Sequence, residues 1–286
     1  MLLRLARSLA LALALAGTAA CSPLTAFATL TPKDPADASA RDVVYGQGPR
    51  RTLDVYAPPA GGGQAPVAVF FYGGSWESGR RQDYGWAGRA LAARGFLTLV
   101  PDYRLGPYPE FLQDGAAAIR WATEHARAYG GDPSRIVLAG HSAGAYNAVQ
   151  LALDPRYLKA EGVDPAVIKA AAGLAGPYDF PALDDPLTRR VFGQAPDVSA
   201  TQPGAYARPD APPVFLATGD ADREVAPRHT TALADQLRAK GAVVQEKHYP
   251  GVNHVEILLA LSRPFRGQAP VLDDMAGFLM DQANRP

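Results

Sequence analysis

In the stretch Arg135-Ile136-Val137-Leu138-Ala139-Gly140-His141-Ser142-Ala143-Gly144, a short apolar run leads straight into Gly-His-Ser-Ala-Gly, and a helix-like pattern, Ala143–Leu153, follows at once. The run is what a buried strand needs. Gly-x-Ser-x-Gly between a strand and a helix presents a nucleophile. The tight turn strains the serine backbone and pushes its oxygen clear of the chain. The flanking positions must lack side chains because strand and helix come close there. The same turn places the amide of Ala143 at a helix N-terminus, where partial positive charge favours an oxyanion.

Outward from this point, strand-like and helix-like segments alternate. Pro66–Phe71, Phe96–Val100, Val167–Leu174 and Val214–Thr218 are apolar strand candidates, and Val243–His248 is a more polar one. Gln82–Arg94, Glu110–Ala128, Arg228–Lys240 and Val271–Gln282 have helical patterns, and Gly95, Gly130 and Gly241 stand where a left-handed C-terminal residue is wanted. Arg41–Tyr45 and Thr52–Tyr56 alternate in polarity about Gly46-Gln47-Gly48-Pro49, which predicts an antiparallel pair at a sheet edge. The expected fold is α/β: a mostly parallel, eight-stranded sheet with helices on both faces and an N-terminal antiparallel edge pair. No internal repeat divides the chain, so residues 41–286 read as a single domain, with a lid or loop insertion over residues 176–213.

Composition narrows the function classes. Of 286 residues, 48% are hydrophobic and 20% charged, which excludes a disordered chain. Lys+Arg and Asp+Glu are equal at 28 each, so no overall field draws nucleic acid. One cysteine excludes an internal disulfide and a cysteine-based zinc site. No metal, cofactor or protein partner is expected.

The N-terminus reads as an export signal over residues 1–20: Arg4 and Arg7 precede a Leu/Ala run from Ser8 to Ala20 that is too short to span a membrane. Gly17-Thr18-Ala19-Ala20-Cys21 resembles a bacterial lipoprotein box with Thr18 where Leu is usual, which makes Cys21 the candidate lipidation site. The alternative is cleavage after Ala28, behind Ala26-Phe27-Ala28. Residues 21–40 read as a flexible tether. A lipid would then anchor the exported domain at the outer membrane or in the periplasm without spanning a membrane; under the alternative it is a soluble periplasmic or secreted protein.

Gly140-His141-Ser142-Ala143-Gly144-Ala145, together with Leu53-Asp54-Val55-Tyr56-Ala57-Pro58, Gly73-Gly74-Ser75-Trp76 and Pro101-Asp102-Tyr103-Arg104-Leu105, resembles the α/β-hydrolase superfamily. Within it these pieces look like the esterase and kynurenine-formamidase-like branch, including feruloyl-esterase-like (BD-FAE-like) proteins, over about residues 41–283. The resemblance implies a Ser-Asp/Glu-His order along the chain. His125 lies mid-helix beside Glu124, His141 precedes the serine, His229 opens a helix and His248 sits in a strand pattern. His254, in Pro250-Gly251-Val252-Asn253-His254, follows the last strand and is the candidate general base. Asp220, Asp222 and Glu224 compete as its carboxylate, and Asp222 fits the family pattern Gly-x-x-Asp-x-x-Val from Gly219 to Val225.

Carried over in the same way, Gly74 and Ala143 are the oxyanion donors, with Gly73 and Ser75 as neighbours. Tyr72 stands where the family usually has His. Trp76, Tyr103 and Tyr178 are candidate pocket residues, with Tyr108, Phe111 and Phe192 as further aromatics, and Asp179 reads as a turn residue at the pocket rim. What this implies is a serine hydrolase acting on small carboxylic esters. The alternatives are an amide hydrolase of the formamidase type and a non-catalytic binding protein on a hydrolase scaffold.

Overall fold

The computed structural model describes residues 23–59, 64–180, 183 and 185–285. The signal and Cys21 therefore lie outside the described residues. Helix α1 (Pro23–Leu30) comes first, followed by β1 (Asp37–Val44), β2 (Thr52–Ala57) and β3 (Ala65–Phe71). Next are α2 (Gly85–Ala92), β4 (Leu97–Pro101), α3 (Glu110–His125), β5 (Gly131–His141), α4 (Ala143–Leu153) and α5 (Pro155–Ala160). β6 (Ile168–Leu174), α6 (Pro186–Phe192), β7 (Val214–Gly219), α7 (Arg228–Ala239), β8 (Val244–Tyr249), α8 (His254–Leu259) and α9 (Val271–Ala283) complete the chain.

The eight strands form one sheet in the order β1-β2-β4-β3-β5-β6-β7-β8. β1 pairs antiparallel with β2, β2 pairs antiparallel with β4, and every other pairing is parallel. Successive residues of β3, Pro66 to Phe71, are all buried, as are all of β4 and β7. Because alternate residues of a strand face opposite sides, unbroken burial means that both faces are covered. The expected architecture is therefore present. Its consequence for function is that β3, β5 and β7 end together at one edge, at Phe71, His141 and Gly219.

One expectation changes. The stretch expected as a tether folds onto the domain in its described part. Phe27 of α1 meets the ring of Trp86 edge-on at 5.3 Å and lies 6.0 Å from that of Phe265. Asp34 pairs with Arg266 at 2.8 Å, and β1 begins at Asp37 rather than Arg41. An aromatic anchor and an ion pair at a buried carboxylate hold in place what its Pro/Thr/Ala/Asp composition suggested was loose. The insertion at 176–213, expected as a lid or loop, packs onto the domain in its described part. Phe192 is fully buried and lies within 5.3 Å of the rings of Trp76, Tyr146 and Phe180, while Tyr146 donates to the carbonyl of Thr201 at 2.6 Å.

Candidate active site

Ser142 sits at φ 55°, ψ −125°, a strained conformation for a residue with a side chain, between β5 and the first turn of α4. The neighbouring glycines account for it. A Cβ on Gly144 would come within 2.1 Å of the Phe71 carbonyl oxygen, and one on Gly140 within 2.2 Å of the Gly144 carbonyl oxygen. Both clashes are with backbone, which cannot swing away. The turn can therefore be this tight only with glycine on each side of the serine.

His254 is the first residue of α8, not a free loop residue. Asn253 caps the helix, accepting from the amides of Val255 and Glu256 while Glu256 accepts from the amide of Asn253. The cap fixes where the imidazole starts. Its Nδ1 lies 2.8 Å from Oδ2 of Asp222, whose side chain is fully buried. The other oxygen of Asp222 accepts from the amides of Glu224 and Val225, each at 2.9 Å. Burial raises the carboxyl's affinity for protons, but the His254 hydrogen bond and these amides outweigh it, so Asp222 is held below its ordinary value. An ionised carboxylate accepting at Nδ1 keeps the proton on that nitrogen and leaves Nε2 as an acceptor.

Of the competing carboxylates, Asp220 faces outward and bonds Nδ1 of His248 at 3.0 Å, and Glu224 is exposed. The remaining histidines have other partners. His125 stacks on Trp121 at 4.9 Å, and His229 accepts from the amide of Asp179 through Nδ1 at 3.2 Å. His141 is buried beneath the elbow, its Nε2 2.8 Å from the carbonyl oxygen of His254.

A cavity of about 400 Å³ opens over the serine and is lined by Ser75, Trp76, Ser142, Ala143 and His254, with Pro177, Phe180, Leu187 and Val225 on its walls. Asp179, Asp185, Glu224, Arg228, His229 and Thr188 make the rest of the lining polar. Ser142 and His254 thus face one space, although among the described residues no hydrogen bond joins them. Free sites often show such contacts long, tightening only around a reacting substrate.

The loop after β3 has consecutive left-handed residues: Gly74 at φ 133°, Ser75 at 57° and Trp76 at 56°. Among the described residues the main-chain amides of Gly74, Ser75 and Ala143 make no hydrogen bond. Ser75 and Ala143 line the cavity. Gly73 lies behind, where a Cβ would come within 3.0 Å of that of Ser142.

Of the aromatic candidates, only Trp76 reaches the cavity. Tyr103 is fully buried, stacks on Tyr72 at 4.7 Å and donates to its carbonyl at 2.6 Å. Tyr178 is buried against Gly173 and Gly176. Phe111 and Phe192 pack behind Trp76. Asp179, read as a turn residue, makes no side-chain hydrogen bond among the described residues and faces the cavity. His229, Arg228 and Thr188 are lining residues that sequence reasoning passed over. The available signal was position: α7 starts just after the acid loop, so its first turn must sit at the sheet edge that carries the site.

His141 makes folding pH-dependent. Burial, then the neighbouring charge of His254, lowers its pKa from 6.5 to about 3. Between these values the unfolded chain takes up a proton that the folded chain refuses, so stability falls as pH drops from about 6.5, with a slope for this group approaching about 1.4 kcal/mol per pH unit. The depressed Asp222 acts in the same direction at lower pH, its contribution being present above its unfolded value and lost as pH falls through the folded one. Urea midpoints from pH 7 to 4 are expected to fall, and to fall less steeply in His141→Gln. Parallel curves would refute the assignment.

Comparison with known proteins gives the family. The model of the family described as BD-FAE matches residues 53–237, well over half of the chain. The chain belongs to the BD-FAE family. It is 32% identical over 269 residues to the isoprenylcysteine alpha-carbonyl methylesterase ICME of Arabidopsis thaliana, covering 85% of this chain and 62% of that protein. It is also 32% identical over 267 residues to esterase LipQ of Mycobacterium tuberculosis, covering 85% and 63%. The chain thus spans about three fifths of the length of these curated relatives.

Among solved structures, a truncated carbohydrate esterase from gut microbiota superposes with a TM-score of 0.77 at 21% identity, covering 89% of this chain and 99% of that one. Esterase 2 of Thermogutta terrifontis gives 0.68 at 22%, covering 89% and 95%. At these identities the likeness establishes the fold, which is that of the α/β hydrolases.

Proposed function

We propose that this chain is a serine hydrolase of carboxylic esters. The observation that carries the reading is that Asp222 holds Nδ1 of His254 at 2.8 Å while His254 and Ser142 line the same cavity. Relatives that are methylesterases and esterases support it.

In this mechanism Ser142 Oγ attacks the ester carbonyl as its proton passes to His254 Nε2. Asp222 stabilises the imidazolium without taking the proton. The carbonyl oxygen becomes an oxyanion held by the amide of Ala143 and those of the Gly74-Ser75 turn. Collapse expels the alcohol, protonated by His254, and leaves an acyl-serine. Water, deprotonated by His254, then adds to the acyl-serine, and the acid departs as Ser142 regains its proton. A fluorophosphonate probe is expected to label the wild-type protein and not Ser142→Ala, with p-nitrophenyl acetate hydrolysed by the former alone. Equal labelling of both, or of neither, would defeat the reading.

The export reading belongs to the same proposal. Cys21 is taken as a lipidated N-terminus that keeps the enzyme on a membrane; among the described residues no helix is long and apolar enough to cross one. Cys21→Ser should move the enzyme from the membrane fraction to the soluble one. Wild-type enzyme found in the soluble fraction would point to cleavage after Ala28 instead, and a variant that stays on the membrane would refute the Cys21 anchor.

A further inference from the structure

We propose that His141 is a positioning residue: by donating its Nε2–H to the main-chain carbonyl of His254, it fixes the general base relative to the nucleophile that follows it in the chain. The inference rests on the hydrolase reading above. A carbonyl oxygen only accepts, so the 2.8 Å contact puts the proton on Nε2 and leaves Nδ1 bare. That Nδ1 is buried and, among the described residues, has no partner. A ring kept only to fill space would leave a buried acceptor unpaired with nothing gained, so the use of this side chain lies in its other nitrogen.

The geometry points the same way. The His141 and His254 rings lie 4.7 Å apart between centroids. His254 is held at its own ring by Asp222, the acid loop is tied to it by the Ala221 amide on the Val252 carbonyl, and α8 is held by the Asn253 cap. Those restraints relate the base to β7 and to its own helix. Among the described hydrogen bonds, that of His141 is the one joining this turn to β5, the strand that leads into Ser142. No hydrogen bond links Ser142 to His254 in the described structure, so their separation depends on such indirect restraints.

The test compares His141→Gln, which can place an amide nitrogen near the Nε2 position, with His141→Asn, which reaches only the Nδ1 position, and His141→Leu. Wild type and Ser142→Ala run beside them, with p-nitrophenyl acetate as substrate. Gln is expected to keep kcat within about threefold. Asn and Leu should lose about 10–100-fold in kcat with KM within about twofold, since a misplacement near 1 Å costs up to about 10²-fold. Melting temperatures separate this from a purely structural role. Equal kcat in all variants, or kcat that follows the melting temperature with no rescue by Gln, would overturn the proposal. Should Leu not fold, the Gln–Asn contrast decides alone. Activity surviving in Ser142→Ala would instead strike the hydrolase reading, a separate failure.

Discussion

Ser142→Ala is expected to lower kcat/KM for p-nitrophenyl acetate by about 10⁴–10⁶-fold with the melting temperature nearly unchanged. Alanine keeps the turn, because what the turn requires is glycine at positions 140 and 144. What is lost is the oxygen that carries the acyl group in the proposed mechanism. Asp222→Asn should cost about 10⁴-fold by another route. An amide in place of the carboxylate can donate to Nδ1 of His254, which moves the ring proton to Nε2 and removes the base. Asp220→Asn is the matched control, since that carboxylate lies two residues away but bonds His248 on the surface. Steady-state kinetics on the three variants give the ordering. A larger loss for Asp220→Asn than for Asp222→Asn would reassign the acid.

What was legible in the sequence was whatever local spacing dictates. Gly140 and Gly144 declare the elbow because backbone contacts at 2.1–2.2 Å leave no alternative to glycine. Asp222 was set apart from its neighbours by its resemblance to the family pattern Gly-x-x-Asp-x-x-Val, and that spacing has a physical counterpart in the fold: its Oδ1 accepts from the amides of Glu224 and Val225. The sheet followed from continuous apolar runs. The lining of the cavity was not legible, because the direction of a side chain beyond a strand end depends on which neighbour fills the adjoining space. Tyr103 turns inward to stack on Tyr72, whereas Asp179, which looked like a turn former, is left facing the cavity. The docking of α1 was hidden for the same reason: Phe27 finds Trp86 and Phe265, far from it in sequence.

Tyr72, the residue that departs from the family pattern, has its place explained by contacts distant in sequence. Its hydroxyl donates to Oδ1 of Asp102 at 2.8 Å and accepts from Arg50 at 2.7 Å, and its ring stacks between Tyr84 and Tyr103. The loop carrying Gly73, Gly74 and Ser75 therefore starts from a residue fixed by its own phenol, by two aromatic faces and by the Tyr103 hydroxyl, which donates to its main-chain carbonyl.

Beneath that loop, Arg81 is the residue whose loss should destabilise the fold most through charge. Its side chain is 4% exposed and serves two buried carboxylates, Asp54 through Nε at 2.9 Å and Asp102 through Nη1, and it also meets Asp42. Its backbone amide donates to Asp102 as well, at 2.8 Å. Arg81→Leu leaves Asp54 buried without a cation and Asp102 with only Arg50 at 3.7 Å, a situation that costs about 3–5 kcal/mol. In a domain of this size, that is a fall in melting temperature of about 6–20 °C. Arg81→Lys should recover part of it, since an ammonium restores the charge but cannot reproduce a planar fork directed at separate carboxylates. Activity should fall in Arg81→Leu even below its melting range, because Asp102 also holds Tyr72 and through it the oxyanion turn. Thermal unfolding followed by kinetics at 20 °C tests both parts. If Leu and Lys were equally stable, the network would be packing rather than ionic pairing. If the folded Leu variant kept full kcat, the oxyanion turn would owe its shape to its own glycines and not to the charges beneath it.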